Sequence, residues 1–568
     1  YHSHTAVQEQ KGVYGAFIIH PKKKAIQYDK DVVVVLSDWS DENADQIVRN
    51  LRKDGDYYLY KKDSVRSYFG AAKVGGLKTL LKNEWDRMGG MDLSDVGYDA
   101  FLINGKRNSQ LLMAHPGEKI RVRIINAAAS SYFYVSMGIP MTVIAADGVD
   151  VEPIGTKEIL IGMAETYDIL FTAPEHKNYE LRATVQDVTG FASGFIGMGE
   201  KVPAPDKPLP DLYASMDHMG HGGGSMSGMD HSAHGGASSG AMDHSKMDHS
   251  KMKGMDHSKM DHSQHGSGKA AAKDPHASHG KNNSAKLLTA PIDFTTQSDA
   301  MLKQNAASRD LISPTSGPVL ETLSVDNLTA LAPTTFPKDA KIHDLKLVLG
   351  GDMERYVWHI NGKAIQEDRL IFINKGEIIR FTFKNDTMMH HPMHLHGHFF
   401  RVLNEQGDKS PLKHTVDVPP HGTRTIEFFA NEPGQWMLHC HNLYHMKTGM
   451  ARVVRYNDFK LTPEMAEHDK NDPHLYEHLY TYSRLEAASN HARAQFKLMR
   501  TWDELDLELE SANIDGKNFS FEKAWETEGY VVYRRWFSNF FNINLGSDFY
   551  NEEAFGVERL RDLLIENP

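Results

Sequence analysis

The single cysteine of this 568-residue chain stands between two histidines, in His439-Cys440-His441, with His445 and Met450 following. A second segment carries His391, His394, His396 and His398 within eight residues. On a β-strand, side chains alternate faces with a period of two. His439 and His441 then point one way and Cys440 the other. A metal on the cysteine side is linked through one residue's backbone to metals on the histidine side, a short path for an electron. His445 and Met450 lie far enough along the chain to curl back to the cysteine side. A thiolate, two imidazoles and a weak axial thioether form the blue-copper ligand set. Cys440, His445 and Met450 supply three of the four, and His391 is the natural candidate for the missing imidazole. His394 and His396 share a strand face suited to a pair of adjacent metals, and neutral imidazole suits copper. His398 falls on the same face and is expected to orient a ligand by hydrogen bonding. A structural zinc site would rarely need the methionine.

Strands must position these groups, and the flanking sequence reads as β. Residues 13–20 and 31–36 read as buried strands, while 43–90 turns charged and more helical. From Tyr98 a new β region begins, at 101–105, 119–125 and 141–145, with turn signals at Asn104-Gly105 and Asp147-Gly148. Patterning of the same kind resumes at 346–349 and runs through 370–373 and 378–383 to about Val454. Many short strands separated by turns predict β-sandwiches.

Between these regions the chain changes character. After a proline-rich stretch from Pro203 to Pro210, Met-Asp-His-Ser recurs at 242–245, 247–250, 255–258 and 260–263. This Gly/Ser/His/Met tract has too little apolar surface for a core and is expected to be disordered. Its thioethers and imidazoles are ligands that Cu(I) prefers. Met242, His244, Met247, His249, Met255, His257, Met260 and His262 are therefore candidate accessory copper ligands. Beyond 457 the pattern differs again. Residues 503–510 alternate strictly, with Leu505, Leu507 and Leu509 on one face, and Asp515-Gly516 follows as a hairpin signal.

The bulk numbers fit several globular domains, with 40% apolar and 24% charged residues. A formal net charge of −12 argues against general nucleic-acid binding. One cysteine cannot form an internal disulfide. No apolar run is long enough for a membrane-spanning helix, and no signal peptide is visible.

The two histidine segments together resemble the signature of the multicopper oxidases. Tyr1-His2-Ser3-His4 resembles the end of that family's WYHSH motif. Residues 35–39, 98–105, 145–148, 151–153 and 164–168, with the Met/His tract, narrow the resemblance to CopA-type copper-resistance oxidases over about 1–455. The resemblance implies type 1, type 2 and type 3 copper centres. His391, Cys440, His445 and Met450 match the type 1 ligands, and His394 matches a type 2 ligand. His2, His4, His396, His439 and His441 match type 3 ligands. The implied activity is oxidation of Cu(I), and of phenols, coupled to four-electron reduction of dioxygen to water. Cys440, His439 and His441 would carry the electrons. A periplasmic copper-sequestering protein is the alternative. The family's HWHG motif is absent from this sequence and is expected upstream of Tyr1 in a longer chain. The acid that many members carry after the equivalent of His445 is Met446 here, which leaves the proton donor unassigned.

The expected fold is all-β, with cupredoxin-like Greek-key sandwiches in tandem. The expected divisions are a remnant of a first cupredoxin domain at 1–65, a second domain at 66–202, the disordered tract at 203–285, a third domain with the type 1 copper at 286–456, and a C-terminal β-meander at 457–568. Residues 502–517, a strand through Ala524 and residues 536–548 resemble the opening strands of a CopB-type outer-membrane copper-resistance barrel. That resemblance implies a periplasmic protein associated with the outer membrane through its C-terminal segment.

Overall fold

Strict alternation and dense turn signals produce a β protein. The computed structural model describes residues 1–20, 26–62, 65–85, 93–210, 319–489, 491–512 and 526–551. The Met/His ligand candidates at 242–262, the Asp515-Gly516 turn and the strand through Ala524 lie outside them.

The first β region is one large sheet. Its path runs through Ala100–Ile103, Lys30–Trp39, Lys119–Asn126, Thr166–Thr172, Phe133–Ala146, Lys177–Val185, Phe191–Gly197 and Asn108–Leu112. Both predicted turns form with positive φ at each central residue, Asn104 at 51° with Gly105 at 75°, and Asp147 at 48° with Gly148 at 76°. That backbone matches the twist of the flanking strands, and Asn, Asp and Gly tolerate it. The helices expected within 43–90 are Ala44–Lys53, Tyr68–Lys73 and Leu77–Trp85.

Three expectations need correction. Residues 13–20 are not a buried strand: Tyr14 makes an isolated bridge to His2, and Phe17 and Ile19 are exposed. An apolar run becomes a strand only where a neighbour completes its hydrogen bonds, and the backbone bonds of this segment are confined to Val13 and Gly15, with Tyr1, Ser3 and Gln8 as partners. The boundary at 65 cuts a sheet, because Lys30–Trp39 pairs in parallel with Lys119–Asn126 and antiparallel with Ala100–Ile103. The boundary at 286 likewise separates Leu320–Leu323 from its parallel partner in Val149–Ile161.

The second β region is a two-layer sandwich. One sheet orders Val357–Ile360, Ile342–Asp352, Ile378–Asn385, Thr423–Phe429, Phe400–Val402 and Leu412–Lys413. The other orders Leu370–Ile373, Ala451–Tyr456, Gln435–Cys440, His391–Leu395 and Thr415–Val418. Ile379, Phe381, Phe383, Phe428, Leu438 and Val454 are buried in its core. The C-terminal meander is a separate five-stranded antiparallel sheet of Tyr480–Ala488, His491–Met499, Asp503–Ala512, Glu526–Ser538 and Phe541–Asn551, in sequence order.

Candidate copper centres

Two antiparallel neighbours build the site. His391–Leu395 pairs with Gln435–Cys440 so that Met393 lies opposite Cys440 and His394 opposite His439. Strand parity then puts His391 on the face of Cys440 and His394 on the face of His439. Asn442 accepts from the N–H groups of Tyr444 and His445 and starts the short helix Leu443–Lys447, which swings His445 back to Cys440. Gly449 lets the chain turn for Met450: its φ is 134°, and a Cβ there would sit 2.4 Å from the Trp358 carbonyl oxygen.

On the cysteine face, Cys440 Sγ lies 3.6 Å from His391 Nδ1 and 3.6 Å from His445 Nδ1. The two Nδ1 atoms are 3.2 Å apart. Metal bonds of about 2.3 Å to sulfur and about 2.0 Å to nitrogen, in a trigonal plane, place S and N about 3.7 Å apart and two N atoms about 3.5 Å apart. The three side chains therefore fit one copper with little adjustment. Met450 is buried, its N–H donates to the His445 carbonyl, and its carbonyl accepts from Cys440 N–H. The outer imidazole nitrogens are also held: Thr387 Oγ1 is 2.7 Å from His391 Nε2, and Asp95 Oδ1 is 3.3 Å from His445 Nε2. Trp358, itself buried, stacks on His445 at 3.8 Å between centroids. Burial pushes the Cys440 thiol well above its ordinary range. A bound metal ion reverses that preference, since a coordinating thiol loses its proton outright.

On the opposite face the histidines converge from three separate segments. His396 Nε2 is 3.2 Å from His439 Nε2, and His4 completes a group of three whose ligand atoms lie within 4.8 Å of one another. His2 Nε2 is 3.1 Å from His441 Nε2. His394 packs beside His396, His439 and His441 at 4.8 to 5.6 Å between centroids. Its Nδ1 is engaged by the His414 carbonyl at 2.8 Å and Thr415 Oγ1 at 3.0 Å, which leaves Nε2 for ligation. Burial, reinforced by neighbouring imidazoles, holds His394, His439 and His441 well below the ordinary histidine range. The same causes bring His4 down to about 3 and His396 to about 4. These imidazoles are neutral at physiological pH, the form that ligates metal. His4 Nε2 is buried with no hydrogen-bond partner, as expected of an atom aimed at a metal.

His398 stands apart from both groups. Its Nε2 meets Tyr456 Oη at 2.7 Å and its Nδ1 meets the His396 carbonyl at 3.1 Å, so its contact with the cluster runs through backbone.

Sequence reasoning missed Glu9, Asp95, Thr387 and Trp358. Glu9 is buried with a carboxylate oxygen 3.2 Å from His2 Nδ1 and another 3.8 Å from His441 Nδ1, behind the converging Nε2 atoms. An acid five residues after His4 is the one local signal that pointed to it. Asp95 lies 350 residues from His445, and no spacing rule connects them.

Two profiles described as multicopper oxidase match the chain, at residues 30–196 and 338–460. Copper resistance protein A of Escherichia coli is 36% identical over 479 residues, covering 81% of this chain and 77% of that protein. Copper resistance protein A of Pseudomonas syringae pv. tomato is 38% identical over 474 residues, covering 81% and 77%. Among solved structures, Fet3p, a multicopper oxidase that functions in iron import, shares 14% identity with a TM-score of 0.47, covering 83% of this chain and 75% of that one. The chain belongs to the multicopper oxidase family. It is accordingly a copper-dependent oxidoreductase, and its fold is the cupredoxin-like β class expected from its strand pattern.

Proposed function

We propose that this chain is a periplasmic copper-resistance oxidase that takes electrons from Cu(I) and passes them to dioxygen. The observation that carries the reading is the placement of Cys440: its Sγ faces two imidazole nitrogens at 3.6 Å, while His439 and His441, its chain neighbours, face the histidine cluster. His391, Cys440, His445 and Met450 would hold the type 1 copper. His394 would hold the type 2 copper, and His2, His4, His396, His439 and His441 the type 3 pair. Copper bound there supplies one-electron redox chemistry at Cys440 and a dioxygen-reducing centre among the histidines. The set lacks the two histidines of the HWHG motif, so an added segment bearing that motif is the natural complement of the cluster.

The protein's own groups prepare both faces. Cys440 joins them covalently through its backbone. Trp358 and Tyr356, both buried, shield the cysteine face from water. Asp95 and Thr387 fix the His445 and His391 rings by their outer nitrogens, which sets the nitrogen each presents. Glu9 lies behind the same cluster as a buried carboxylate, 3.2 Å from His2 Nδ1 and 3.8 Å from His441 Nδ1.

The test is oxygen uptake by the copper-loaded protein with Cu(I) as reductant. Catalytic uptake over many turnovers, rising when an HWHG-bearing segment is joined before Tyr1, is expected. Stoichiometric copper binding with no uptake in either form would instead make the protein a copper-sequestering one.

A further inference from the structure

The C-terminal sheet is arranged inside out for a sheet in water. Its register sorts the side chains onto two faces. One row of one face runs Leu485, Ala494, Leu509, Gly529 and Phe549, and the next but one runs Leu498, Leu505, Tyr533 and Leu545. The opposite face is charged and internally paired: Arg493 meets Glu508 at 2.7 Å, Lys497 meets Asp506 at 3.1 Å, and Arg534 meets Glu504 at 2.6 Å. A one-sided antiparallel sheet in water covers its apolar face and exposes its polar one. Here Leu485 is 82% exposed, Leu545 64% and Leu509 45%, while Asp506 is 2% exposed.

Two further features point to the solvent this face expects. The strands are 9 to 13 residues long, the length that crosses the hydrocarbon layer of a bilayer as tilted β. Exposed aromatic side chains gather at one end of the sheet, at Phe537, Phe540 and Phe541, while Trp536 at the same end is buried against Arg355. Such residues band the membrane–water interface of β-barrels, whose strands point apolar side chains outward and polar ones inward. The oxidase sits at this same end: Arg355 lies over Trp536 at 4.3 Å and Trp502 at 5.2 Å, and Trp502 donates to Glu367. No helix among the described residues is long and apolar enough to cross a membrane, which leaves the strand route open.

We propose that the apolar face of this sheet packs against lipid acyl chains, with the ion-paired face turned away from lipid and the oxidase held at the aromatic end. Tyr480–Ala488 and Phe541–Asn551 are edge strands in the five-stranded order. Unpaired edges are costly in hydrocarbon, so the sheet enters lipid with its edges paired to further strands. A second copy stacked face to face would cover the same leucines, but it would account for neither the strand length nor the aromatic end.

The test uses the full copper-loaded chain, refolded by detergent dilution with vesicles of phosphatidylethanolamine and phosphatidylglycerol and then floated on a density gradient. The protein is expected to float. Leu485→Asp, Leu509→Asp and Leu545→Asp together are expected to lower the floated fraction at least about tenfold, since charge on a lipid-facing strand is strongly disfavoured. The copper spectrum should be unchanged, which shows the rest of the protein intact. A second measurement avoids dependence on that variant: a polarity-sensitive fluorophore on Leu545→Cys should be quenched by brominated acyl chains, and the same label on Glu508→Cys should not. Failure to float, with soluble dimers that the triple substitution dissociates, would assign the face to a second copy. Equal quenching at positions 545 and 508, or none at 545, would also overturn the proposal.

Discussion

The two faces of the Cys440 strand are built by different means. The cysteine face draws Cys440, His445 and Met450 from eleven consecutive residues and His391 from the adjacent strand, so that all four ligands lie inside one sandwich and Asp95, from outside it, touches the outer nitrogen of His445. The histidine face needs His2 and His4 from the far end of the sequence and depends on contacts between the two β regions. Lys413, fully buried, lies 3.1 Å from Asp147 and 3.2 Å from Glu165 of the first region. Asp147 also accepts from the N–H groups of His414 and Thr415, the residues that hold His394 Nδ1. A site assembled locally should survive damage at the interface between regions, and a site assembled across it should not.

Removing the shared residue has the largest expected effect. Cys440→Ser should abolish the intense thiolate-to-copper absorption near roughly 600 nm expected of this ligand set. Oxygen uptake should fall to background, while copper still binds the histidine face. An unchanged absorption spectrum would place the chromophore elsewhere.

Lys413→Met separates the two sites. It leaves the buried Asp147 carboxylate without its cation, a change that costs about 3–5 kcal/mol. Denaturant melts should show that loss. Metal analysis of the folded fraction should show copper lost from the histidine cluster with the blue absorption retained. Loss of both in parallel would mean that the cysteine site also depends on the interface.

Acidity probes the same interface with a smaller effect. Burial raises Glu165 to about 7, so the folded protein holds that proton where the unfolded chain has released it. The group's contribution is fully present below the unfolded carboxyl range, near about 4.5, and is lost as pH rises to about 7. Glu165→Gln should flatten stability against pH across that window. An unaltered slope would remove Glu165 as its source.

Thr387→Val acts on the cysteine face alone. Losing the 2.7 Å contact with His391 should weaken copper retention there about tenfold and shift the blue absorption. The spectrum of the histidine cluster should not move.

The same contrast explains what was legible in the sequence. Strand parity alone separates Cys440 from His439 and His441, and a capped turn after Asn442 is enough to return His445. Asp95 acts on His445 across 350 residues, where spacing carries no information, and Glu9, though near His2 in sequence, reaches His441 only through the fold. The boundary expected at 65 failed for a related reason: a parallel partner such as Lys119–Asn126 is reached by a long crossover that leaves no local signal for Lys30–Trp39. Residues 13–20 show the converse, since apolar composition does not say whether a neighbouring strand is present.

Anomalous diffraction at the copper edge, from crystals of the copper-loaded protein, tests the back-to-back arrangement most directly. One peak is expected among Cys440 Sγ, His391 Nδ1 and His445 Nδ1, and a separate peak on the other side of the strand among His4, His396 and His439. Copper confined to the histidine face, with none beside Cys440 in fully loaded protein, would contradict it.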